Sequence, residues 1–395
     1  MKKALFLIPV IIIAVPLVLL KISHDNSEPA AASISSSTVQ VSTSQSSPVQ
    51  ANVLSSLPAV KKETKEIRII ATGDILLGRG VKSNLQRLKK DYTYPFEKIT
   101  DYFKKGDIVF GNLEESITSS ERSLSGIEQV GGKYVLKNDV EAFSGIKYAG
   151  YNILNLANNH ILDYYDTGLF DTLDILDKNS IKHIGAGKNI DEARKPVIIE
   201  KNGLKIGFLA YTDMADAEYK GNPPLRFEAG ASKAGVSPKN IDYIKEDITK
   251  LRPSVDIIIV SLHWGIEYET TLYPGQQDFA HNIMDMGADM ILGHHPHHIK
   301  GIEIYKGKPI VYSLGNFISD QNDLSNQEGF FLDITYNGGK VKSLSAIPFK
   351  IASKSQVVPV TGTNAMQLLN KINMLSAQLG SKCYIKEDKV SFDIP

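Results

Sequence analysis

Five short polar clusters in this chain each close an apolar, strand-like run. They are Thr72-Gly73-Asp74, Gly111-Asn112-Leu113-Glu114, Asn158-Asn159-His160, His263-Trp264-Gly265 and Gly293-His294-His295-Pro296-His297-His298. Carboxylates, amides and imidazoles are the side chains that bind hard and borderline divalent cations. Open α/β sheets assemble their sites outside the carboxyl ends of the strands. Strands that repeatedly finish in these residues therefore predict one metal site at such an edge.

Asp74 and Glu114 are the candidate carboxylate ligands, with Asn112 on the same side of its strand as Glu114 by alternation. Glu115 should face the other way and pair in solvent. Asn159 offers a weak neutral ligand, and His160 a proton for a leaving group. Asp163, one turn beyond, can orient that imidazole. Asn158 belongs to the same cluster and also reads as a helix cap. His263 ends a buried strand, where a polar residue needs a partner. Trp264 is either a wall of the pocket or ordinary packing.

Four histidines among the five residues 294–298 form the strongest single signal. In an extended segment His295 and His297 share a face and suit two ligands, while His294 and His298 face away in supporting positions. Pro296 fixes the backbone between them. The whole set matches one or two Mn, Fe or Zn ions. Such ions lower the pKa of bound water to about 7 and clamp a phosphoryl-like centre. A Ser/His/Asp hydrolase fails for lack of a nucleophile elbow. Gly185-Ala186-Gly187 lacks the Lys-Ser/Thr ending of a phosphate loop.

The elements that position these residues alternate strand and helix. Strands are expected over Ile67–Ala71, Asp107–Phe110, Asn152–Ala157, Asp256–Leu262 and Met290–Leu292. Helices are expected over Asn138–Ala149, around Leu169, Leu173 and Leu176, over Pro238–Leu251, and through Phe279, Ile283 and Met286. Hairpins should turn at Asn202-Gly203, near Lys306-Gly307 and near Asn337-Gly338, making the second half more antiparallel. Ile117 to Lys133 reads as a loop over one face, and Ala365 to Leu379 as a last helix.

The chain carries 44 basic and 44 acidic side chains among 395 residues. That balance gives no case for nucleic acid. A single cysteine, Cys383, permits neither an internal disulfide nor a thiolate metal cluster. At the N-terminus Lys2-Lys3 precede an apolar run from Ala4 to about Leu20. Residues 1–22 are expected to be a signal-anchor or a cleaved signal peptide, with the lysines left in the cytoplasm. Residues 23–62, rich in Ser, Thr, Ala and Gln, should form a flexible linker. The expected organisation continues with a main domain over 63–350 and a C-terminal extension over 351–395.

These motifs resemble the CapA family of capsule synthesis, which includes the PgsA component of poly-γ-glutamate synthesis. The resemblance covers roughly Ile67 to Phe317. Gly78-Arg79, Leu156-Ala157 and Ser313-Leu314-Gly315-Asn316-Phe317 join the clusters above in carrying it. That family is in turn similar to the calcineurin-type metallophosphoesterases. The resemblance implies a four-layer α/β/β/α sandwich, with Asp74, Glu114, Asn159, His263, His295 and His297 as metal ligands. It implies His160 as general acid, with Asp163 beside it. Asn112, Asn158, Trp264, His294, Arg79 and Asn316 would line or support the pocket.

Two positions depart from the phosphoesterase pattern: Leu76 stands where a histidine would follow Asp74, and Asn112 where a bridging aspartate would stand. The resemblance further implies an extracytoplasmic protein that grips or processes poly-γ-glutamate beside membrane-embedded synthesis and export subunits. A secreted metal-dependent phosphoesterase and a non-catalytic, metal-stabilised assembly factor are the alternatives.

Overall fold

The structure, a computed structural model, describes residues 65–126, 134–216, 218–219 and 225–395. The expected N-terminal segment, the linker and part of the middle loop lie outside the described residues. Among those described, no helix is long and apolar enough to cross a membrane.

The first half contains β1 (Glu66–Ile75), α1 (Arg79–Leu88), β2 (Ile108–Leu113), α2 (Phe143–Ala149), β3 (Ile153–Asn155), α3 (Tyr165–Lys178) and β4 (Lys182–Ile184). A hairpin of β5 (Val197–Lys201) and β6 (Leu204–Thr212) follows. Next come α4 (Ile241–Leu251), β7 (Ile257–His263), α5 (Gln276–Asp285), β8 (Met290–His294), β9 (Ile302–Tyr305) and β10 (Lys308–Val311). The chain ends through β11 (Asn316–Ile318), β12 (Glu328–Asn337), β13 (Lys340–Ala352), β14 (Gln356–Pro359), α6 (Met366–Gln378), β15 (Cys383–Lys386) and β16 (Lys389–Phe392).

These strands build two mixed sheets. The ten-stranded sheet runs β15-β16-β13-β12-β1-β2-β3-β4, with β11 beside β1 and β14 beside β13. The six-stranded sheet runs β9-β10-β8-β7-β6-β5. β1 to β4 are mutually parallel, as are β6, β7, β8 and β10. Parallel pairing is what brings their carboxyl ends to one edge of each sheet.

Alternation along the strands sorts the apolar residues into three cores. Ile70, Val109 and Leu154 pack against Val81 and Leu85 of α1, Ile146 of α2, and Leu169, Leu173 and Leu176 of α3. Their neighbours Ile69, Ile108, Phe110 and Ile153 face the opposite way and meet Ile206, Phe208, Ile259 and Leu292 of the second sheet. Phe110 and Phe208 stack across this central core with ring centroids 6.1 Å apart. The outer face of the second sheet, with Leu209, Ile258 and Val260, is covered by Ile244 and Ile248 of α4 and Ile283 of α5. The layers are thus helix, sheet, sheet, helix.

The hairpin expected at Asn202-Gly203 is present, with φ of 52° and 73°, both positive as a two-residue turn of this kind requires. Lys306-Gly307 repeats it, at 49° and 77°. The helix expected from Asn138 starts later, at Phe143. Asn138 is instead held in a short parallel bridge to Ile117, and Val140–Ala142 forms a single tight turn. Beyond residue 350 the chain is built into the same body. β14, β15 and β16 extend the first sheet, and Leu368, Leu369 and Ile372 of α6 enter the central core.

Candidate metal centre

β1 runs past the expected end at Ala71 to Ile75, so Asp74 sits within the strand. An irregularity between Ala71 and Asp74 shifts its register on β2, after which Asp74 lies opposite Asn112 on one side and Asn316 on the other. A bulge of this kind re-aims a side chain. Gly73 allows the close approach, because a Cβ there would lie 1.9 Å from the Gly315 carbonyl oxygen.

Around Asp74 the carboxyl ends of both sheets converge. Glu114 follows β2, His263 closes β7 and His294 closes β8. The carboxylate of Glu114 and the rings of His263 and His295 offer ligand atoms within 4.8 Å of one another. So do Asp74, Glu114 and His297, and Glu114 is common to both sets. All five residues are buried. The Asn159 carbonyl adjoins the first set, accepting from His263 Nε2 at 2.8 Å.

His295 and His297 reach the site by a route that simple alternation does not describe. Their backbones are left-handed rather than extended, with φ of 94° and 59°. Strain of this sort, of order 1–3 kcal/mol per residue, collects at functional sites. It places both rings in the centre with centroids 6.2 Å apart. His294, expected to face away, points inward as well. Its Nδ1 stands 3.4 Å from Asp74 Oδ1, and its ring lies against Phe110. His298 sits outside the centre, edge-on to Tyr268.

The amides act as supports. Asn112 donates to Asp74 Oδ1 at 2.8 Å, and so holds the carboxylate where a bridging aspartate was absent from the sequence. Asn112 accepts in turn from Asn155 at 2.9 Å. Asn158 ties the loop, donating to the Leu113 carbonyl and accepting from the backbone of His160 and Ile161. Asn316 accepts from His297 Nδ1 at 3.0 Å, which leaves Nε2 of that ring with a free lone pair. His160 is tied through Nδ1 to Asp163 Oδ2 at 2.8 Å, and Asp163 is itself anchored by the Leu136 N–H.

Charge follows from burial and neighbours. Burial alone would raise the Asp74 carboxyl, but hydrogen bonding and charge from His294 and His297 hold it well below its ordinary range. Burial, then the Asp74 carboxylate, drive Glu114 well above its own. Burial holds His263 far below the ordinary histidine range and takes His295 down to about 3, with neighbouring imidazoles adding to both. Burial also works against a charged His160, yet Asp163 more than offsets it and its pKa is raised. Neutral His263 and His295 rings and an ionised Asp74 are in the donor state that a divalent cation requires.

Neither oxygen of Glu114 has a hydrogen-bond partner, although the residue is fully buried. Nδ1 of His295 is likewise unpartnered. Buried acceptors left in this state are costly, and native proteins satisfy nearly all of them. A cation among these ligands supplies the missing partner, so the residues fit a divalent metal.

Of the two readings of Trp264, the structure takes ordinary packing: its ring is fully buried, stacks on Tyr312 at 6.0 Å, donates to the Tyr312 carbonyl and packs among core residues of α5. Glu115 does not pair in solvent. It is buried and accepts from the backbone N–H groups of Leu77 and Gly78, at 2.8 and 2.9 Å, because the turn after β1 closes over it. Burial raises its pKa to about 7. Arg79 borders the site, paired with Asp320 at 2.7 Å. Sequence reasoning passed over Asn155, whose signal was an amide inside the otherwise apolar run from Ile153 to Ala157. It also passed over Tyr268, whose ring lies 5.8 Å from that of His297 and which no spacing marked.

By class this is a two-sheet α/β sandwich with a buried carboxylate–histidine cluster at the strand ends, whose residues fit a divalent cation. The chain belongs to the family of bacterial capsule synthesis proteins, PGA_cap, which residues 68–321 match. It is 30% identical to the capsule biosynthesis protein CapA of Bacillus anthracis over 77% of this chain and 72% of that protein. It is 33% identical to the PGA biosynthesis protein CapA of Bacillus subtilis over 67% of this chain and 66% of that one. This chain therefore spans about two thirds to three quarters of these relatives' length. A solved 5'-nucleotidase from Candida albicans is similar at 12% identity and a TM-score of 0.41, over 73% of this chain and 52% of that chain. A purple acid phosphatase from yellow lupin is similar at 10% and 0.36, over 74% and 53%. Likeness at that level adds nothing to the fold that the strand order already establishes.

Proposed function

We propose that this protein is a metal-dependent, hydrolase-type component of capsule polymer synthesis, acting outside the cytoplasm on poly-γ-glutamate. Family membership and the names of the two CapA relatives support the pathway. The observation that carries the chemistry is Glu114, buried without a partner and common to two sets of ligands. The lysine-flanked apolar run at the N-terminus supports a membrane anchor, with membrane-embedded synthesis and export subunits as partners. The helix–sheet–sheet–helix layering supports a fold of the metallophosphoesterase type.

Mixed oxygen and imidazole donors suit Mn, Fe or Zn. Glu114, His263 and His295, beside the Asn159 carbonyl, would hold one such cation and Asp74, Glu114 and His297 a second, and a cation there would supply polarisation of a phosphoryl or carbonyl oxygen and a more acidic water. The protein's own groups do the rest. Asp163 fixes His160 through Nδ1 and raises its pKa, so Nε2 can carry a proton to a leaving group. Asn112 and Asn316 hold Asp74 and His297 in place.

The test is His160→Ala in a polymer-producing cell and in the purified full chain. Cleavage of polymer or of a model phosphodiester should fall by about 100-fold or more, with metal content and melting temperature unchanged. Undiminished polymer production by the folded variant would leave only an assembly role.

A further inference from the structure

Arg79 occupies a backbone conformation that its neighbours could adopt more cheaply. Its φ is 41°, in the left-handed region, although Gly78 and Gly80 flank it. A non-glycine residue held there costs free energy and persists only where the surroundings fix it. Both flanks are fixed. A Cβ on Gly78 would lie 2.2 Å from the Lys137 carbonyl oxygen and 3.0 Å from the Glu115 carboxylate, and one on Gly80 2.7 Å from Asp320. Asp320 receives the Gly80 N–H on one oxygen, at 3.0 Å, and the Arg79 guanidinium on the other, at 2.7 Å. The side chain is thereby presented at the start of α1, about one-third exposed.

It borders the centre. Arg79, Asp320 and Tyr268 line one cleft of about 570 Å³, with Asp323 also on its wall. The Tyr268 ring lies over His297. The Arg79 charge also favours the ionised forms of Glu115, Asp163 and Tyr268, so it reaches the neighbourhood of the His160–Asp163 pair. Planar guanidinium groups recognise carboxylates and phosphates through paired, charge-assisted hydrogen bonds.

We propose that Arg79 is a substrate-positioning residue that binds an anionic group of the substrate, carboxylate or phosphate, in the cleft it shares with Tyr268 beside His297, with Asp320 holding the guanidinium until substrate displaces it. This rests on the reading of the site as one that processes an anionic polymer. In poly-γ-glutamate the group is an α-carboxylate beside the reacting linkage. In a phosphoester it is the phosphoryl group itself.

Binding to the Mn²⁺-loaded full chain is measured with two probes, a fluorescein-labelled γ-glutamyl oligomer and inorganic phosphate. Arg79→Gln should weaken oligomer binding about tenfold or more, with metal content and melting temperature unchanged, and Arg79→Lys should restore part of it. Asp320→Asn keeps an acceptor for Gly80 but removes the competing charge, and should tighten binding several-fold. Oligomer binding equal to wild type in folded Arg79→Gln overturns the proposal and leaves the polymer reading standing. Phosphate binding lost in Arg79→Gln, in a wild type that ignores the oligomer, upholds the clamp and removes the polymer. If Arg79→Gln does not fold, unchanged or weaker binding in Asp320→Asn overturns the proposal. So does a wild type that binds neither probe.

Discussion

Replacing Glu114 by glutamine should make the metal-free protein more stable while abolishing its response to metal. In the structure the Glu114 carboxylate is fully buried, has no hydrogen-bond partner, and lies 3.6 Å from His263 and within ligand distance of Asp74. An unsatisfied buried polar group costs about 1–3 kcal/mol, and more when charged. The amide of a glutamine can donate to the Asp74 carboxylate, removing the repulsion between two acids. At about 2 °C per kcal/mol for a domain of this size or somewhat smaller, the metal-free melting temperature should rise by about 2–6 °C.

The gain should depend on pH in a defined direction. The folded-state pKa of Glu114 is raised, so this residue favours the fold only in its protonated form. Its penalty is absent below the ordinary glutamate value of about 4.3, grows as pH rises from there toward the raised value, and is complete above it. The advantage of Glu114→Gln should therefore shrink in acid. Metal at 100 times its dissociation constant should stabilise wild type by about 2.7 kcal/mol and leave the variant unmoved. Differential scanning calorimetry, with and without Mn²⁺, reads both effects. A variant that is less stable when metal-free, and still stabilised by metal, would refute the reasoning.

Asn316→Ala removes the acceptor that fixes the His297 ring, and metal affinity should fall about 10–100-fold. Titration calorimetry giving an unchanged affinity would show that His297 needs no such support. Gly73→Ala places a methyl group 1.9 Å from the Gly315 carbonyl oxygen, a clash between two backbones that neither side chain can relieve. It should destabilise the fold by more than about 3 kcal/mol. A denaturant midpoint equal to wild type would contradict the register of β1 on β11.

The parts of the fold legible in the sequence were those written in local periodicity. Leu169, Leu173 and Leu176 mark one face of α3, and all three are buried on the first sheet. Asn202-Gly203 and Lys306-Gly307 announced their hairpins through turn chemistry. The five polar clusters were readable because each breaks an apolar run, and most of their residues converge on one centre. What was not legible depends on contacts between distant segments. The extension of β1 to Ile75 is set by β2 and β11, which lie far away in sequence. His294 points inward as the end of β8, in step with Met290 and Leu292, whereas the left-handed backbones at His295 and His297 are what alternation cannot anticipate. Glu115 looked solvent-facing because alternation ignores the turn at Leu77-Gly78 that folds over it. Trp264 was open between pocket wall and packing; just past the end of β7 it keeps the outward parity of Val260 and Leu262 and joins their core.

The most direct measurement is the metal content of the full chain by inductively coupled plasma mass spectrometry, for wild type, His295→Ala, His297→Ala and Glu114→Ala, with folding checked by circular dichroism. Stoichiometric Mn, Fe or Zn in wild type should be reduced in each histidine variant and lost in Glu114→Ala, the residue both ligand sets contain. A folded wild type that takes up no metal after reconstitution, or a Glu114→Ala variant that keeps it all, would contradict the metal centre.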